Sequence, residues 1–291
     1  MYLKHPVSVD SPNQNCNPKK HHINWHEATV CAIQIELRDY THLLEFKSEY
    51  ILGKGRYRID LLVVKKLSEQ PIPKNIAQIF STYNIFEIKG SGSTVNTDSY
   101  YKTIGYAGLF IEQTGKRNQY TSLDISLTFI SMHYPRKLIQ HLTKERNLIV
   151  EKSSPGIYTI SKEIFSVQII VTQELPAEEN LYLCCLAQNR QNNTLLDRIA
   201  TDYEKHHDQY IYNRYLHQLT NAYSSKKGAH TMVCEGLLNL FGTSSEEIIE
   251  KTRKEDNDFY QPQIDSLSSQ NQYLMDLLKK NNIPFETAPN R

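Results

Sequence analysis

The chain has 291 residues, of which 39% are hydrophobic and 22% are charged, and its formal net charge at pH 7 is +1. This composition excludes a disordered chain, and the length allows one large domain or two modest ones. The near-neutral net charge excludes a uniformly basic nucleic-acid-binding protein, so any contact with nucleic acid requires a local basic patch.

The cysteine count and the distribution of apolar residues indicate the compartment. The five cysteines are odd in number and have no paired spacing, which argues against a secreted disulfide framework. Residues 1–22 are polar and predict a flexible leader without the apolar run of a signal peptide. No other stretch is apolar for long enough to cross a bilayer. We therefore expect a cytoplasmic protein that makes no contact with a membrane.

The first half of the chain alternates between helical and strand-like patterns. From Asn24, a plausible N-cap, apolar residues recur at a spacing close to 3.6 and predict a helix. Strands are predicted over 44–52, 58–66 and 83–90. They are followed by a predicted helix that Asp98 caps and that ends at Gly115, a strand over 123–132 and a helix after Pro135. Strand-like pieces then follow over 148–160 and 167–173. This order predicts an α/β fold with a central mixed sheet flanked by helices.

The last third of the chain has mainly helical patterns, including one over 194–223 and another over 231–242. We divide the chain into a leader (1–22), an α/β domain (23–175), a helical region (176–260) and a C-terminal helix with its tail (261–291). The helix over 262–280 could form a homodimer or remain a loose surface helix. The tyrosines of the long helical pattern, Tyr203, Tyr210, Tyr212 and Tyr215, could stack on bases, but core packing is the commoner use.

Three charged residues on the second and third strands carry the most chemical information. Side chains two apart in a strand point to the same side, so Glu87 and Lys89 share one face. Asp60 lies in an otherwise apolar strand, where a carboxylate needs a partner or a cation. If the two strands are neighbours, Asp60 and Glu87 converge, and a divalent cation relieves their repulsion. Oxygen ligands of this kind favour Mg²⁺ or Mn²⁺.

The first helix carries two glutamates that the helical period separates. At about 100° per residue, Glu36 falls near the middle of the apolar face and Glu27 on the opposite side. We therefore expect Glu36 to face the sheet and join the carboxylate cluster, and Glu27 to face solvent.

At this point the sequence resembles the PD-(D/E)XK nuclease superfamily. The resemblance is carried by Asp60, by Glu87-Ile88-Lys89, by the preceding helix with Glu36, and by the following helix. The phrases NWHEATVCAIQIEL, NIFEIKG and YYKTIGYAGLF resemble more specifically an uncharacterised bacterial, Firmicutes-type PD-(D/E)XK domain family. The resemblance covers roughly residues 24–135, and it departs from the motif in having Ile59 rather than proline before Asp60.

The resemblance implies hydrolysis of phosphodiester bonds, with DNA as the expected substrate and an endonuclease as the expected type. Asp60, Glu87, Glu36 and the backbone carbonyl of Ile88 would hold Mg²⁺ or Mn²⁺, and Lys89 would orient or activate a water molecule. On the helix after the motif, Lys102 and Tyr106 lie one turn apart and would bind a phosphate of the substrate. One exonuclease branch has glutamine at the position of Lys102.

Three other interpretations of the sequence stay open. Asp60 and Lys89 could form a purely structural ion pair without metal. The domain could be a catalytically silent nuclease fold that binds nucleic acid or a protein partner. The C-terminal helices could instead carry the main function through a protein interaction.

Overall fold

The structure of the chain is a computed structural model that describes residues 25–48, 51–52, 57–58, 62–90, 93–114, 119–187, 193–224 and 245–281. The helices are α1 (Trp25–Glu36), α2 (Thr97–Thr114), α3 (Arg136–Gln140), α4 (Leu181–Ala187), α5 (Asn193–Glu204), α6 (Tyr210–Ser224) and α7 (Ser245–Lys280), and a π-helical turn, His141–Glu145, extends α3. The strands are β1 (Leu44–Ser48), β2 (Ile51–Leu52), β3 (Tyr57–Arg58), β4 (Leu62–Lys66), β5 (Tyr83–Ile88), β6 (Ile125–Ser131), β7 (Ile149–Ser154), β8 (Ile157–Ser161) and β9 (Ser166–Val171).

Seven of the strands form one mixed sheet in the order β1-β4-β5-β6-β9-β8-β7. β5, β6 and β9 are parallel to one another, and the remaining neighbours are antiparallel. β2 and β3 form a separate antiparallel pair. The parallel strands are buried on both sides, as parallel sheets usually are. The predicted α/β architecture, a central mixed sheet flanked by helices, is confirmed.

Each face of the sheet is covered by its own hydrophobic cluster. One face, which we call the α1 face, packs Phe86 and Ile88 of β5 against α1, α4, α5 and α6. The opposite face, which we call the α2 face, packs Tyr83 and Ile85 against α2 and the segment from α3 to the π-helical turn. Because side chains alternate along β5, Glu87 belongs to the α2 face with Tyr83 and Ile85.

Several predicted elements have different limits in the structure. The strand expected over 148–160 is a hairpin of β7 and β8, in which Gly156 has a φ of 75° that favours glycine. The helix expected over 194–223 is divided into α5 and α6. α7 is one helix that contains Pro262 and spans the predicted 260/261 boundary, and the segment 231–242 and the predicted leader lie outside the described residues.

The residue that caps α2 also differs from the prediction. Asp98 lies inside the first turn of the helix, which begins at Thr97. Asn96 Oδ1 instead accepts a hydrogen bond from Ser99 N at 2.8 Å, and Asn96 N donates to Ser99 Oγ at 3.0 Å. Asn96 therefore satisfies an amide group of the first turn, and the prediction of Asp98 as the cap was wrong.

The helices after residue 175 belong to the same core as the sheet. α1 and the sheet share one hydrophobic cluster with α4, α5 and α6, so the predicted boundary at 175/176 passes through packed side chains. Tyr203, Tyr212 and Tyr215 are buried in this cluster, which confirms core packing for them. In the part of the chain that the structure describes, no helix has the length and apolar character needed to span a membrane.

Candidate active site at the end of β5

The candidate site lies where β5 ends in the middle of the sheet. β5 has β4 on one side and β6 on the other, and its six residues are all buried. Glu87 is 3% exposed and lies opposite Phe129 in the register with β6. A carboxylate in this position is costly unless a cation or hydrogen-bond donors compensate its charge.

Lys89 supplies a compensating charge. Its Nζ lies 2.6 Å from Glu87 Oε1, as the predicted shared face of the two residues requires. The backbone N–H of Lys89 donates to the Ile130 carbonyl at 2.9 Å, so the strand pairing extends to the base of this side chain. The Glu87 side chain is 5% exposed and that of Lys89 is 26% exposed. The pair is therefore held rigidly at its base and reaches solvent through the lysine.

The prediction for Asp60 depends on strands that the structure describes only in part. β4 and β5 are antiparallel neighbours, with Leu62 opposite Phe86, so the two strands meet the condition on which the prediction depends. Asp60 itself lies outside the described residues. Its convergence with Glu87, and a structural pair with Lys89, both remain predictions.

Glu36 is not brought to Glu87 by the fold. α1 lies on the α1 face of the sheet, whereas Glu87 points to the α2 face. Glu36 Oε2 instead accepts from Lys74 Nζ at 2.9 Å, and Oε1 accepts from the backbone N–H of Tyr182 in the first turn of α4 at 2.7 Å. The predicted role of Glu36 as a metal ligand beside Glu87 is therefore corrected to a structural link between α1, Lys74 and α4.

The environment of Glu36 nevertheless shifts the pKa of its carboxyl. Burial raises the pKa of the Glu36 carboxyl above its ordinary value, although Lys74 and the α4 backbone act in the opposite direction. A cleft of about 510 Å³ opens beside this pair, and its wall includes Arg38 and Asp202. Arg38 Nη1 lies 2.7 Å from Asp202 Oδ2, so this second ion pair joins the turn that follows α1 to α5. Nothing in the sequence indicated that Lys74, thirty-eight positions away, is the partner of Glu36.

Glu27 is also paired, which contradicts its predicted exposure to solvent. The Glu27 carboxylate accepts from Arg214 Nε at 3.1 Å and from Gln218 at 2.8 Å, and its side chain is 25% exposed. Both partners belong to α6, so the side of α1 that was expected to face water is covered by another helix.

Lys102 and Tyr106 lie together on α2, as predicted. Lys102 Nζ is 5.5 Å from the centre of the Tyr106 ring. Lys102 is exposed, and Tyr106 is half-buried against the cluster of the α2 face. The two side chains therefore lie on the helix that covers the same sheet face as Glu87.

The turn after Lys89 is constrained by close packing. A Cβ atom added to Gly90 would lie 2.8 Å from Trp25 Cβ and 2.9 Å from Trp25 Cγ, which is closer than such carbons approach. Gly90 thus lets the first residue of α1 pack directly against the exit from β5. This contact fixes the chain immediately after Lys89.

Within the described ranges, no group of three or more His, Cys, Asp and Glu side chains is placed to hold a metal ion. Comparison of the chain with protein-family models, with curated proteins and with solved structures found no match. The functional interpretation consequently depends on the residues and their geometry.

Proposed function

We propose that the chain is a metal-dependent nuclease that hydrolyses phosphodiester bonds, with DNA as the substrate class. The observation that carries the proposal is the buried carboxylate of Glu87, paired with Lys89 at 2.6 Å at the end of a central strand. An acidic and a basic residue held two positions apart at such a place are the pair that the PD-(D/E)XK motif requires.

The arrangement of elements around this pair supports the proposal. α1 precedes the antiparallel strands β1, β4 and β5, and α2 then leads to β6, which is parallel to β5. This is the order of helices and strands on which the resemblance placed the motif residues. The fold alone does not define a function, so the argument depends on the charged pair.

The oxygen donors at the end of β5 are of the type that Mg²⁺ or Mn²⁺ prefers. Glu87 and the carbonyl of Ile88 would hold the ion together with Asp60, and Glu36 is excluded because it belongs to the other face of the sheet. Glu87 is buried, which fits a cation-binding role for its carboxylate. A bound ion would lower the pKa of a water molecule and stabilise charge on the phosphate.

Lys89 and α2 supply the remaining groups of the proposed site. The Lys89 ammonium would neutralise charge that develops on the phosphate or orient the attacking water, because it is the cation that contacts Glu87. Lys102 and the Tyr106 hydroxyl would bind a neighbouring phosphate from α2. A cytoplasmic location and the bacterial family remain part of the same proposal.

A second function is a catalytically silent nuclease fold that binds nucleic acid or a protein without cleavage. The direct contact between Lys89 and Glu87 favours it, because such a pair is also stable as a structural element. The two functions differ in whether binding needs a divalent cation, so they are separable by experiment.

The test is cleavage of labelled linear, circular and branched DNA with Mg²⁺ or Mn²⁺, together with calorimetry of metal binding. We expect the wild type to cleave DNA. Lys89→Met and Glu87→Gln should abolish cleavage, and Glu151→Gln should cleave at the rate of the wild type. Glu151 is the matched control because it is an exposed glutamate on the edge strand β7. DNA binding without cleavage, insensitive to metal chelation, would favour the silent module.

A further inference from the structure

A second cluster of reactive side chains joins α2 to the π-helical turn. Tyr101 Oη lies 2.7 Å from His141 Nε2, and His141 Nδ1 lies 2.8 Å from Glu145 Oε2. Arg146 Nη1 donates to Tyr101 Oη at 3.0 Å. These four residues, which we call the tyrosine relay, form an unbroken chain of hydrogen bonds.

The hydrogen-bond partners assign a donor and an acceptor to each bond of the relay. The Glu145 carboxylate accepts the proton on His141 Nδ1, which leaves His141 Nε2 to accept the hydroxyl proton of Tyr101. Arg146 donates to the same phenol oxygen and would stabilise a phenolate. A nucleophile, a base, a group that orients the base and a cation are thereby in contact.

The π-helical turn produces this geometry. Residues five apart in an α-helix differ by about 140° in direction, which would separate His141 from Arg146. Arg146 N here donates to the His141 carbonyl at 3.2 Å, and this wider turn brings both side chains to Tyr101. Such turns are frequent at functional sites.

The relay is accessible and lies on the same sheet face as Glu87. Tyr101 is 40% exposed, and the side chains of His141 and Arg146 are 20% and 39% exposed. The neighbouring Tyr100 stacks on Phe129 at 5.2 Å, and Phe129 is opposite Glu87 in the sheet. The relay and Glu87 are thus linked through the packed rings of Tyr100 and Phe129.

We propose that Tyr101 is a nucleophile for phosphate diesters and that it acts without a metal ion. Tyr101 Oη forms a bond to phosphorus while the bond between phosphorus and the leaving oxygen breaks. His141 takes the phenol proton and gives it to the leaving oxygen, so that atoms and charges balance without a further reactant. Arg146 would neutralise charge on the phosphoryl oxygens, and Glu145 positions His141.

The test uses the full-length protein and the p-nitrophenyl ester of thymidine 5′-phosphate, with EDTA present. We expect a single burst of p-nitrophenol and a thymidylyl group on Tyr101, located by peptide mass spectrometry. Because EDTA removes divalent ions, this reaction is independent of the proposed nuclease site, and either can fail alone.

Variants assign the roles within the relay. Tyr101→Phe keeps the ring and should abolish the adduct, whereas Tyr158→Phe should not. Tyr158 is the matched control because it also donates to a glutamate, Glu174, at 2.6 Å with Lys152 nearby. His141→Gly should slow adduct formation roughly a hundredfold, and added imidazole should restore it. Glu145→Gln should lower the maximal rate but leave the probe concentration at half-saturation unchanged.

Absence of an adduct on the wild type under these conditions would overturn the proposal. So would an adduct that persists in Tyr101→Phe, or one that disappears in Tyr158→Phe. Equal unfolding temperatures of the wild type and Tyr101→Phe, a change confined to one hydroxyl group, establish that a lost adduct reports chemistry.

Discussion

Glu87 and Lys89 form an ion pair whose carboxylate is buried and whose ammonium group is partly exposed. Removing one partner of a buried ion pair leaves an uncompensated charge, which typically costs about 3–5 kcal/mol, whereas partial exposure of the lysine reduces that cost here. Variants at these positions therefore need a stability measurement beside any activity measurement. Replacement of Lys89 by methionine keeps its bulk, and replacement of Glu87 by glutamine keeps a polar group.

Gly90→Ala should destabilise the fold, because its new Cβ would lie 2.8 Å from Trp25 Cβ. We expect a loss of about 1–3 kcal/mol in the free energy of unfolding, the usual cost of overpacking. Gly105→Ala is the matched control, since a Cβ there meets nothing within 4 Å on the exposed side of α2. Alanine in that helix should stabilise it by about 0.5–1 kcal/mol. Urea unfolding measures the free energy of unfolding of both variants. A value for Gly90→Ala equal to that of the wild type would contradict the close packing.

Asp202 should make stability depend on acid pH. Burial raises the pKa of Asp202, but hydrogen bonds from Tyr182 and Arg38, together with attraction to Arg38 and His206, outweigh this, and the pKa lies below its ordinary value of 3.8. The folded state then binds a proton less readily than the unfolded state. The stabilisation is therefore present above pH 3.8 and is lost as the pH falls through the lower folded value.

Asp202→Asn removes this titration, so its free energy of unfolding should fall less than that of the wild type below pH 3.8. Urea unfolding across a pH series measures the difference. Asp197→Asn changes an exposed carboxylate on the same helix and serves as the control. Parallel pH curves for the wild type and Asp202→Asn would contradict the assignment.

The two glutamates of α1 show where sequence reasoning fails at this scale. The prediction assumed one buried and one exposed face, but seven of the twelve residues of α1 are buried, and they include the run from Ala28 to Ile33. A helix covered on several sides gives its polar residues partners from other elements. The partners, Lys74 for Glu36 and Arg214 for Glu27, are distant in sequence, and no local pattern identifies them.

Among the elements, those that carry the motif could be predicted well. The predicted strands over 83–90 and 123–132 correspond to β5 and β6, because their apolar runs are short and bounded by polar turns. The hairpin of β7 and β8 was read as one strand, although its turn consists of Pro155 and Gly156, a pair that commonly marks a turn. The division between α5 and α6 has no proline or glycine to mark it.

The cap of α2 provides a test at the scale of one element. Asn96→Ala should lower the free energy of unfolding by about 1 kcal/mol, because Ser99 N loses its side-chain acceptor. Asp98→Ala should cost less, since Asp98 lies in the first turn and contributes only through the helix dipole, worth about 0.3–1 kcal/mol. Thermal and urea unfolding compare the two. A larger loss of unfolding free energy in Asp98→Ala than in Asn96→Ala would show that Asp98 is the cap.

At the scale of the whole molecule, the sheet and the C-terminal helices share a core. Truncation after residue 190 removes α5 and α6, whose buried residues pack against α1. We therefore expect the chain that ends at residue 190 to unfold without a cooperative thermal transition. Truncation after residue 260 removes a part of α7 most of whose large apolar residues are exposed, and it should leave the unfolding temperature unchanged. Cooperative unfolding of the shorter chain would instead support a separate domain ending near residue 175.

The overall architecture followed from the order of helical and strand-like patterns, whereas the shared core did not, because sequence patterns do not identify which faces meet. The candidate site was predicted as four carboxylate and lysine positions. The fold joins Glu87 to Lys89 and separates Glu36 from them by the thickness of the sheet.

The most direct test of the proposed nuclease is cleavage of labelled DNA in Mg²⁺ by the wild type beside Lys89→Met and Glu151→Gln, with folding verified by thermal unfolding. We predict metal-dependent cleavage by the wild type and by Glu151→Gln, and no cleavage by a folded Lys89→Met. Cleavage by Lys89→Met at the rate of the wild type would contradict the assignment of the active site to the end of β5.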